Sequence, residues 1–289
     1  MEARPIWRVA LVGAGRVGTA VTQILAQAGH PIVGVSSRTR SSQEDAARRL
    51  SCPTFDFHSK VPETDVILVG AGDEALEEIA GALAPHLKRG TRLFHFAGSQ
   101  GVAPFEIARS AGARVCATHP VQACPDIDTA VTRLPNSAWG ITCAPEDVDW
   151  VEDLVVHDLH GHPLHVREED RAVWHASSVM VSNGIAALLA IGESMIRSTG
   201  VDNPELVLSP LALGTVRNAH EGGGGGVTLT GPVVRGEKSV IERHVRALRE
   251  RGLVEGYEQV LRMIVVAARQ AGRIDGTSAE TMMKLVGNR

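Results

Sequence analysis

The sequence GAGRVG at residues 13–18 decides the fold, because its glycines match the G-x-G-x-x-G spacing of dinucleotide-binding turns. An apolar segment precedes it and an amphipathic segment follows it, which is the strand–turn–helix context that gives the motif its meaning. Gly13 permits the tight turn, Gly15 lets a pyrophosphate approach the backbone, and Gly18 lets the helix pack closely on the strand. The start of the helix offers free N–H groups and a partial positive charge to phosphate oxygens. The motif therefore predicts a Rossmann domain that binds a dinucleotide; the alternative is a glycine turn without a ligand.

The rest of the first half alternates short apolar segments with amphipathic ones. Strands are predicted over Ile6–Val12, Pro31–Ser36, Asp65–Val69, Arg92–His95, Arg114–Thr118 and Ser137–Cys143. Helices are predicted over Arg16–Ala28, Gln43–Leu50, Glu74–Leu83 and Pro104–Ser110. Such alternation indicates βαβ units and therefore a mostly parallel, doubly wound sheet.

The second half lacks strand patterns after about residue 166 and is rich in helical ones. Helices are predicted over Glu168–Ser198, Pro204–Ala219, Lys238–Glu250, Leu253–Ala271 and Ala279–Val286. The five consecutive glycines Gly222–Gly226 predict a flexible loop and no regular element. We therefore expect an α/β Rossmann domain over residues 1–166 and an all-α domain for substrate binding and dimerisation over residues 167–289.

The composition indicates a soluble globular protein and argues against nucleic acid as a partner. Apolar residues make up 44% of the chain and the net charge is −4, whereas a nucleic-acid-binding domain needs a basic stripe. The four cysteines form no C-x-x-C pair, which favours free thiols in a reducing compartment. The apolar stretch Ala176–Ile191 is shorter than the roughly 20 residues of a membrane span and contains serines, so it predicts a buried core helix. We expect a cytoplasmic protein without a membrane anchor.

The end of the second predicted strand indicates NADP rather than NAD. An NAD site usually has an acid there that binds the ribose hydroxyls, but here no acid appears before Glu44. Ser37, Arg38 and Arg40 follow the strand instead, and the planar fork of arginine matches the oxygens of a 2′-phosphate. The alternative is that these arginines are ordinary surface charges.

Small residues at the ends of two further strands leave room for the nicotinamide ribose, although ordinary turns would also explain them. The residues predicted to bind the cofactor, NADPH, are Gly13, Gly15, Arg16, Val17, Gly18, Ser37, Arg38, Gly70, Ala71 and Gly98.

A polar stripe runs along the long helix predicted at residues 168–198. At about 100° per residue, Arg171, His175, Ser178 and Ser182 share one narrow face, and Asn183 lies roughly 80° from His175. Such a stripe consists either of satisfied polar groups in a helical core or of groups that close the cofactor crevice from the second domain. In the second case His175 has a suitable intrinsic pKa to donate a proton to a carbonyl or imine, and Asn183 can orient the carbonyl.

Two other segments carry candidate site residues. His119 and Gln122 follow a predicted strand and therefore fall at the crevice edge, where His119 is the competing proton donor. The loop Leu229–Glu237 precedes a predicted helix and presents Arg235, which suits a substrate carboxylate; the alternative is a plain surface turn.

Four histidines crowd a short segment just before the long helix. His157, His160, His162 and His165 match no zinc-site spacing and have no cysteine nearby, so we expect no metal and interpret the run as interdomain surface.

The chain resembles a family of oxidoreductase-like proteins that have an N-terminal Rossmann domain and a helical C-terminal domain of formally unknown function. These proteins are distant relatives of pyrroline-5-carboxylate reductases and 6-phosphogluconate-type dehydrogenases. The segments that carry the resemblance are Gly13–Gly18, His95–Gly98, His119–Gln122, Trp174-His175-Ala176 with Ser182-Asn183, and Leu229–Gly236.

Some members of this family act as an alternative class of ketopantoate reductase. The resemblance therefore implies NADPH-dependent reduction of a branched 2-keto acid to its 2-hydroxy acid in pantothenate biosynthesis, and a homodimer formed through the helical domain. The chain has Ala97 where the family usually has Ser, and Arg171 where it often has Lys. Because arginine stays protonated, it can bind an anion but is a poor proton donor, which favours His175 as the acid.

These observations predict an NADPH-dependent reductase of a small carboxylate substrate. The predicted catalytic residues are His175, Asn183 and His119, and the predicted substrate-binding residues are Arg171, Ser182, Gln122 and Arg235. One alternative is an imine or cyclic-imine reductase on the same scaffold. The other is a regulator that senses NADP without chemistry.

Overall fold

A seven-stranded sheet forms the first part of this computed structural model, which describes residues 4–286. The strands are β1 (Val9–Val12), β2 (Ile32–Ser36), β3 (Val66–Val69), β4 (Arg92–His95), β5 (Arg114–Pro120), β6 (Ala138–Cys143) and β7 (His162–His165). Their order is β2-β1-β3-β4-β5-β6-β7. Strands β1 to β5 pair in parallel, β6 runs antiparallel to β5, and β7 runs parallel to β6. The predicted mostly parallel sheet is confirmed.

Helices cover both faces of the sheet. They are α1 (Arg16–Gln27), α2 (Arg40–Leu50), α3 (Leu76–Leu83), α4 (Glu106–Ser110), α5 (Ile127–Arg133) and α6 (Val148–Asp153). Successive side chains of a strand point to opposite faces, so Leu68 of β3 lies in the apolar cluster that α1 covers and Ile67 lies in the cluster that α3 covers. The short helices α5 and α6 were not predicted.

The remaining elements are helical, as predicted. They are α7 (Arg171–Arg197), α8 (Glu205–Glu221), α9 (Gly225–Thr228), α10 (Lys238–Arg249), α11 (Val254–Gln270) and α12 (Gly276–Leu285). The prediction that Gly222–Gly226 contains no regular element is wrong, because the last two of these glycines begin α9. A Cβ at Gly226 would lie 2.9 Å from the Cβ of Ala271, so this helix needs glycine for its close packing.

The histidine run also contains an element that the sequence did not predict. His162 and His165 bound β7, whose exposed residues form the edge of the sheet and pair with Ala138–Ile141 of β6. The second half of the run therefore lies in an edge strand, whereas His157 and His160 precede it. The described residues contain no group of three or more His, Cys, Asp or Glu side chains that could hold a metal ion.

The described chain divides into two compact units, one up to Met180 and one from Val181 onward. This division falls within α7, and the domain boundary at 166/167 stays a prediction. The division falls there because the first turns of α7 bond to the sheet: Arg171 donates to Gly140 of β6, and Trp174 donates to His119 of β5.

The long helix α7 differs from its prediction in burial. Arg171 is its only residue that is buried in the described chain, and Val173, Met180 and Val181 are 63–72% exposed. The prediction of a buried core helix is therefore wrong for the single chain. An 18-residue window of the helical segment Glu168–Arg197 has a mean hydropathy of 1.6, so the segment is long and apolar enough, by length and composition alone, to cross a membrane.

Candidate active site

The turn between β1 and α1 presses against the end of β3 so closely that only glycine fits. Gly13 has a φ of 86°, which favours glycine, and a Cβ at Gly15 would lie 2.5 Å from the carbonyl oxygen of Gly70. A Cβ at Gly18 would lie 2.8 Å from the Cα of Gly70. Helix α1 begins after Gly15 without a side-chain cap on its first N–H groups. These donors are therefore free for phosphate oxygens, and the turn fits the pyrophosphate of a dinucleotide.

A cavity of about 300 Å³ lies beside this turn at the ends of β1, β2 and β3. It is lined by residues that include Gly13, Ala14, Gly15, Ser37, Arg38, Thr39, Gly70, Ala71 and Ile79. The Ser37 hydroxyl accepts a hydrogen bond from the backbone N–H of Ala14 at 3.4 Å, which ties the end of β2 to the glycine turn.

The two predicted arginines at the end of β2 differ in their contacts. Arg40 donates to the carboxylate of Glu44 at 2.7 Å, one turn along α2. Arg38 is exposed, lines the cavity and has neither a hydrogen-bond nor an ion-pair partner among residues 4–286. Of the two, Arg38 is therefore the side chain that is free to bind an anion.

A second cavity, of about 410 Å³, lies on the other side of the glycine turn. It is lined by Arg16, Val17, Gly18, Gly70, Ala71, Gly72, Asp73, Phe96, Ala97, Gly98, His119, Pro120, Gln122, Cys124 and His175. The first unit thus brings predicted cofactor residues together with three predicted substrate or catalytic residues, which are His119, Gln122 and His175. The two cavities share Gly70, Ala71 and Gly72.

The two histidines of the second cavity stand edge to face. Their ring centroids are 5.3 Å apart and their planes meet at 84°. Gly98 makes this arrangement possible, because a Cβ there would lie 2.8 Å from Cγ of His175 and 3.0 Å from Cδ2 of His119. The predicted cofactor residue Gly98 therefore also creates the space for His175.

His119 lies within β5 and not after it, which corrects the predicted end of this strand at Thr118. Its Nδ1 accepts a hydrogen bond from the indole N–H of Trp174 at 3.2 Å. Burial, together with the positive charges of His175 and Arg171, lowers the pKa of His119 to about 4. His119 is therefore a poor source of a proton at neutral pH.

Arg171 is 1% exposed, and its side chain binds backbone carbonyl groups in and beside the sheet. Its guanidinium donates to the carbonyl oxygens of Gln100 at 3.1 Å, Gly140 at 3.0 Å and Ala97 at 2.5 Å. Burial lowers the pKa of this side chain. Contact with a substrate would require this network to open, so the geometry favours a structural role over the predicted binding of an anion.

Two polar residues near the cavity were not predicted as candidates. Asp73 follows β3, lines the second cavity and accepts a hydrogen bond from the hydroxyl of Ser99. His95 is buried at the end of β4, its Nε2 donates to the carbonyl of Gly101 at 2.7 Å, and burial lowers its pKa to about 4. The sequence signal for both was their position at the end of a strand, where the crevice of a doubly wound sheet lies.

Three predicted residues belong to the second unit. Ser182 and Asn183 are exposed on α7. Arg235 is 58% exposed and donates through two nitrogens to the carboxylate of Glu237, at 2.9 and 2.8 Å. A substrate carboxylate at Arg235 would have to replace Glu237, and the contact of all three residues with a substrate stays a prediction.

Comparison with known protein families identifies two domains. A Rossmann-like domain matches residues 2–120, and a domain of unknown function, DUF2520, matches residues 137–264. The predicted architecture of a Rossmann domain followed by a helical domain of formally unknown function is confirmed. A search among curated proteins finds no match.

Solved structures of similar fold cover nearly the whole chain. A proposed NADP oxidoreductase from Bacteroides fragilis is 20% identical with a TM-score of 0.72, over 96% of this chain and 98% of that one. An imine reductase from Myxococcus stipitatus, in complex with NADP⁺, is 15% identical with a TM-score of 0.68, over 96% and 99%. A pyrroline-5-carboxylate reductase from Coxiella burnetii is 15% identical with a TM-score of 0.57, over 98% and 100%. At these identities the likeness establishes the fold.

Proposed function

We propose that this chain, in which a Rossmann-like domain precedes a DUF2520 domain, is an NADPH-dependent reductase of a small carbonyl substrate. The observation that carries the proposal is the second cavity, where the glycine turn meets His119 and His175. A dinucleotide whose pyrophosphate binds the start of α1 reaches both cavities, since they share the end of β3. The fold of the NADP-dependent neighbours supports the same cofactor.

The residues of this chain fit NADPH at its phosphates. The uncapped N–H groups at the start of α1 suit the pyrophosphate. The guanidinium of Arg38, which has no hydrogen-bond or ion-pair partner in the part of the chain that the structure describes, suits the 2′-phosphate. When bound, NADPH supplies a hydride. Ser37 holds the end of β2 against the glycine turn through Ala14, so it positions the segment that carries Arg38.

We assign proton donation to His175. Histidine is the side chain whose ordinary titration range spans neutral pH, and His175 lines the cavity beside the space that Gly98 leaves open. His119 is neutral at that pH because its pKa is about 4. His175 therefore supplies the proton to the oxygen of the reduced carbonyl.

The finer proposal is that the substrate is a small 2-keto acid such as ketopantoate, as the family resemblance implies, and that the product is its 2-hydroxy acid. Gln122 lines the same cavity with an amide that can bind a polar substrate group. Asn183, Ser182 and Arg235 are the predicted contributions of the second unit. The predicted cytoplasmic location is part of this proposal, and the four free cysteines agree with a reducing compartment.

The test follows the loss of NADPH absorbance with purified protein, offering ketopantoate, other 2-keto acids and 1-pyrroline carboxylates, with NADH in parallel. Turnover of a 2-keto acid with preference for NADPH is expected. Turnover of the cyclic imines alone would favour the imine reductase, an activity that the Myxococcus stipitatus neighbour has. Tight NADPH binding with no turnover on any substrate would favour the sensor.

We further propose a homodimer formed through α7 and α8. Both helices expose large apolar side chains, which include Val173, Met180 and Val181 on α7 and Leu206, Leu211 and Leu213 on α8, each 63–73% exposed. Soluble monomers rarely leave apolar patches larger than about 300–600 Å² in water, so a second copy of these helices is the expected cover.

Light scattering after gel filtration tests the dimer. The wild type is expected to elute as a dimer, and Leu211→Asp should shift it towards monomer because a charge cannot be buried there without a partner. Ile107→Asp, at an apolar residue of α4 that is 54% exposed, is the matched control and should leave the mass unchanged. A monomeric wild type would refute the dimer, and binding to lipid vesicles would indicate a membrane as the cover instead.

A further inference from the structure

We infer that Trp174 fixes His119 as a neutral hydrogen-bond donor whose Nε2–H serves an acceptor atom of the substrate, so that the site selects carbonyl compounds over protonated imines. The preference for carbonyl substrates rests on the proposed function, whereas the tautomer of His119 does not. Trp174 is a positioning residue, and His119 is the group that contacts the substrate.

The first observation is the direction of the hydrogen bond between Trp174 and His119. An indole N–H can only donate, so the 3.2 Å contact requires an unprotonated lone pair on Nδ1 of His119. In a neutral imidazole the proton then resides on Nε2. If Nδ1 carried a proton, its N–H would point at the indole N–H of Trp174, and two donors would face each other. The contact therefore disfavours the tautomer with the proton on Nδ1 and also the imidazolium.

The backbone of β6 is shaped for this contact. Gly140 is paired with His119 across the antiparallel strands, and a Cβ at Gly140 would lie 2.7 Å from the indole of Trp174. The missing side chain lets the indole lie on β6 and reach its neighbour. Arg171 lies three residues before Trp174 and therefore on the same side of α7. It donates to the carbonyl of Gly140, which ties this part of α7 to β6.

The other ring nitrogen is available to a ligand. His119 lines the second cavity, and its Nε2 has no hydrogen-bond partner among residues 4–286. It is also absent from the buried polar atoms that lack a partner in the described chain, so it reaches solvent. An N–H donor thus faces the cavity at the end of β5.

The charged groups around His119 keep it neutral. His175 and Arg171 face it from α7 and disfavour a positive charge, while Asp73, after β3, has the opposite and weaker effect. Burial is the largest cause, and together these influences lower the pKa to about 4. The ring therefore remains a neutral donor throughout the physiological pH range.

A donor of this kind distinguishes between substrates. A carbonyl oxygen has lone pairs that accept the Nε2–H hydrogen bond, and this bond strengthens as hydride adds to carbon and negative charge develops on oxygen. The oxygen then takes its proton from His175, and His119 is unchanged at the end. A protonated imine has an N–H and no lone pair, so its nitrogen would face another donor.

The test reads the imidazole nitrogens directly by ¹⁵N NMR of the full chain with labelled histidine, with and without NADP⁺. The His119 signal is assigned as the one missing in His119→Gln. We expect a single neutral tautomer with the proton on Nε2, unchanged down to about pH 5, since its pKa is about 4. A proton on Nδ1, a mixture of tautomers, or titration near the ordinary value of about 6.5 would overturn the inference, whether or not the protein turns over any substrate.

Trp174→Phe keeps an aromatic ring over Gly140 and removes only the donor. In this variant we expect a mixture of tautomers, a higher pKa for His119, and a loss of about fivefold in kcat/KM for the keto acid with unchanged NADPH affinity, the effect of one ordinary hydrogen bond. Trp139→Phe is the matched control, because the indole N–H of Trp139 has no partner in the described chain. It should leave the His119 signals in place.

Substrate choice supplies the second readout. His119→Phe should lower kcat for the keto acid about 100-fold, as the loss of one donor to a developing oxyanion does. A permanently cationic cyclic iminium should be a poorer substrate than the keto acid in the wild type. If the iminium is reduced faster, the selection is wrong although the reductase stands; if nothing is reduced, the proposed function fails and the NMR result still decides the tautomer.

Discussion

The position of Arg38 leads to a quantitative prediction about the choice between NADPH and NADH. Arg38 lines the first cavity, is exposed, and has neither a hydrogen-bond nor an ion-pair partner within residues 4–286. Arg38→Ala therefore removes no hydrogen bond or ion pair within residues 4–286, so we expect its effect on affinity to report the contact with the bound nucleotide. NADPH and NADH differ only in the 2′-phosphate, so their comparison isolates the contact.

The magnitude follows from the kind of hydrogen bond. An arginine can donate two parallel N–H bonds to a phosphate, and hydrogen bonds to charged groups contribute more than neutral ones. Because Arg38 is exposed, solvent and salt screen the attraction beyond about 8 Å at physiological ionic strength. We expect Arg38→Ala to weaken NADPH binding roughly 10-fold to 100-fold and NADH binding less than about twofold.

Titration calorimetry or quenching of tryptophan fluorescence measures both dissociation constants. Arg40→Ala is the matched control, because Arg40 is already paired with Glu44 at 2.7 Å and its side chain is 92% exposed. We expect it to change NADPH affinity less than threefold, a small effect of an exposed ion pair. Equal weakening of NADPH and NADH by Arg38→Ala, or a larger effect of Arg40→Ala, would refute the assignment of the 2′-phosphate to Arg38.

Three other substitutions or conditions test the site. Gly15→Ala should abolish dinucleotide binding by calorimetry, since its Cβ would lie 2.5 Å from a backbone oxygen at the end of β3; Gly81→Ala, at a position with open space, should bind normally. His175→Ala should lower kcat at least about 100-fold and leave the NADPH dissociation constant unchanged, and surviving turnover would place the proton donor elsewhere. The pKa values of His95 and His119 are about 4 in the folded chain and about 6.5 in an unfolded one, so between these values the unfolded chain binds more protons. Urea unfolding should therefore show full stability above about pH 6.5 and a loss as the pH falls towards 4; a flat profile would contradict the burial of these rings.

The sequence predicted those parts of the site that depend on local backbone geometry. The glycine motif, the strand that precedes it and the helix that follows it are specified by residues within a few positions of one another. The absence of an acid after β2 could likewise be read directly, because one residue at the end of this strand governs the choice between a hydroxyl and a phosphate.

The roles of Arg171 and Trp174 could not be predicted, because they depend on partners far away in the chain. Arg171 belongs to the polar stripe that the periodicity indicated, and Trp174 lies three residues further along α7, but their contacts are on β5, on β6 and at the end of β4. Periodicity gives the face of a helix and not the strand beneath it. The burial of α7 was mispredicted for the same reason. Its apolar composition indicates that the helix is covered by other residues, but not whether these belong to the same chain or to another molecule.

Short elements escaped prediction for a different reason. Strand β7 has four residues, two of them histidine, and is held by its pairing with β6 rather than by any apolar alternation of its own. Helix α9 starts with glycines that intrinsic propensity disfavours, and close packing at Gly226 outweighs that cost.

The glycines around the β1–α1 turn carry a consequence for genetics. A Cβ added at Gly15 or Gly18 would collide with the backbone of Gly70, and one added at Gly70 would collide with Gly13 and Gly18. A collision with a side chain can be relieved by a smaller residue at a second position, but here the opposing residue is already the smallest one. A suppressor screen that starts from Gly15→Ala should therefore return true revertants and no compensating substitution at the facing position. Natural selection is therefore expected to retain Gly13, Gly15, Gly18 and Gly70 together.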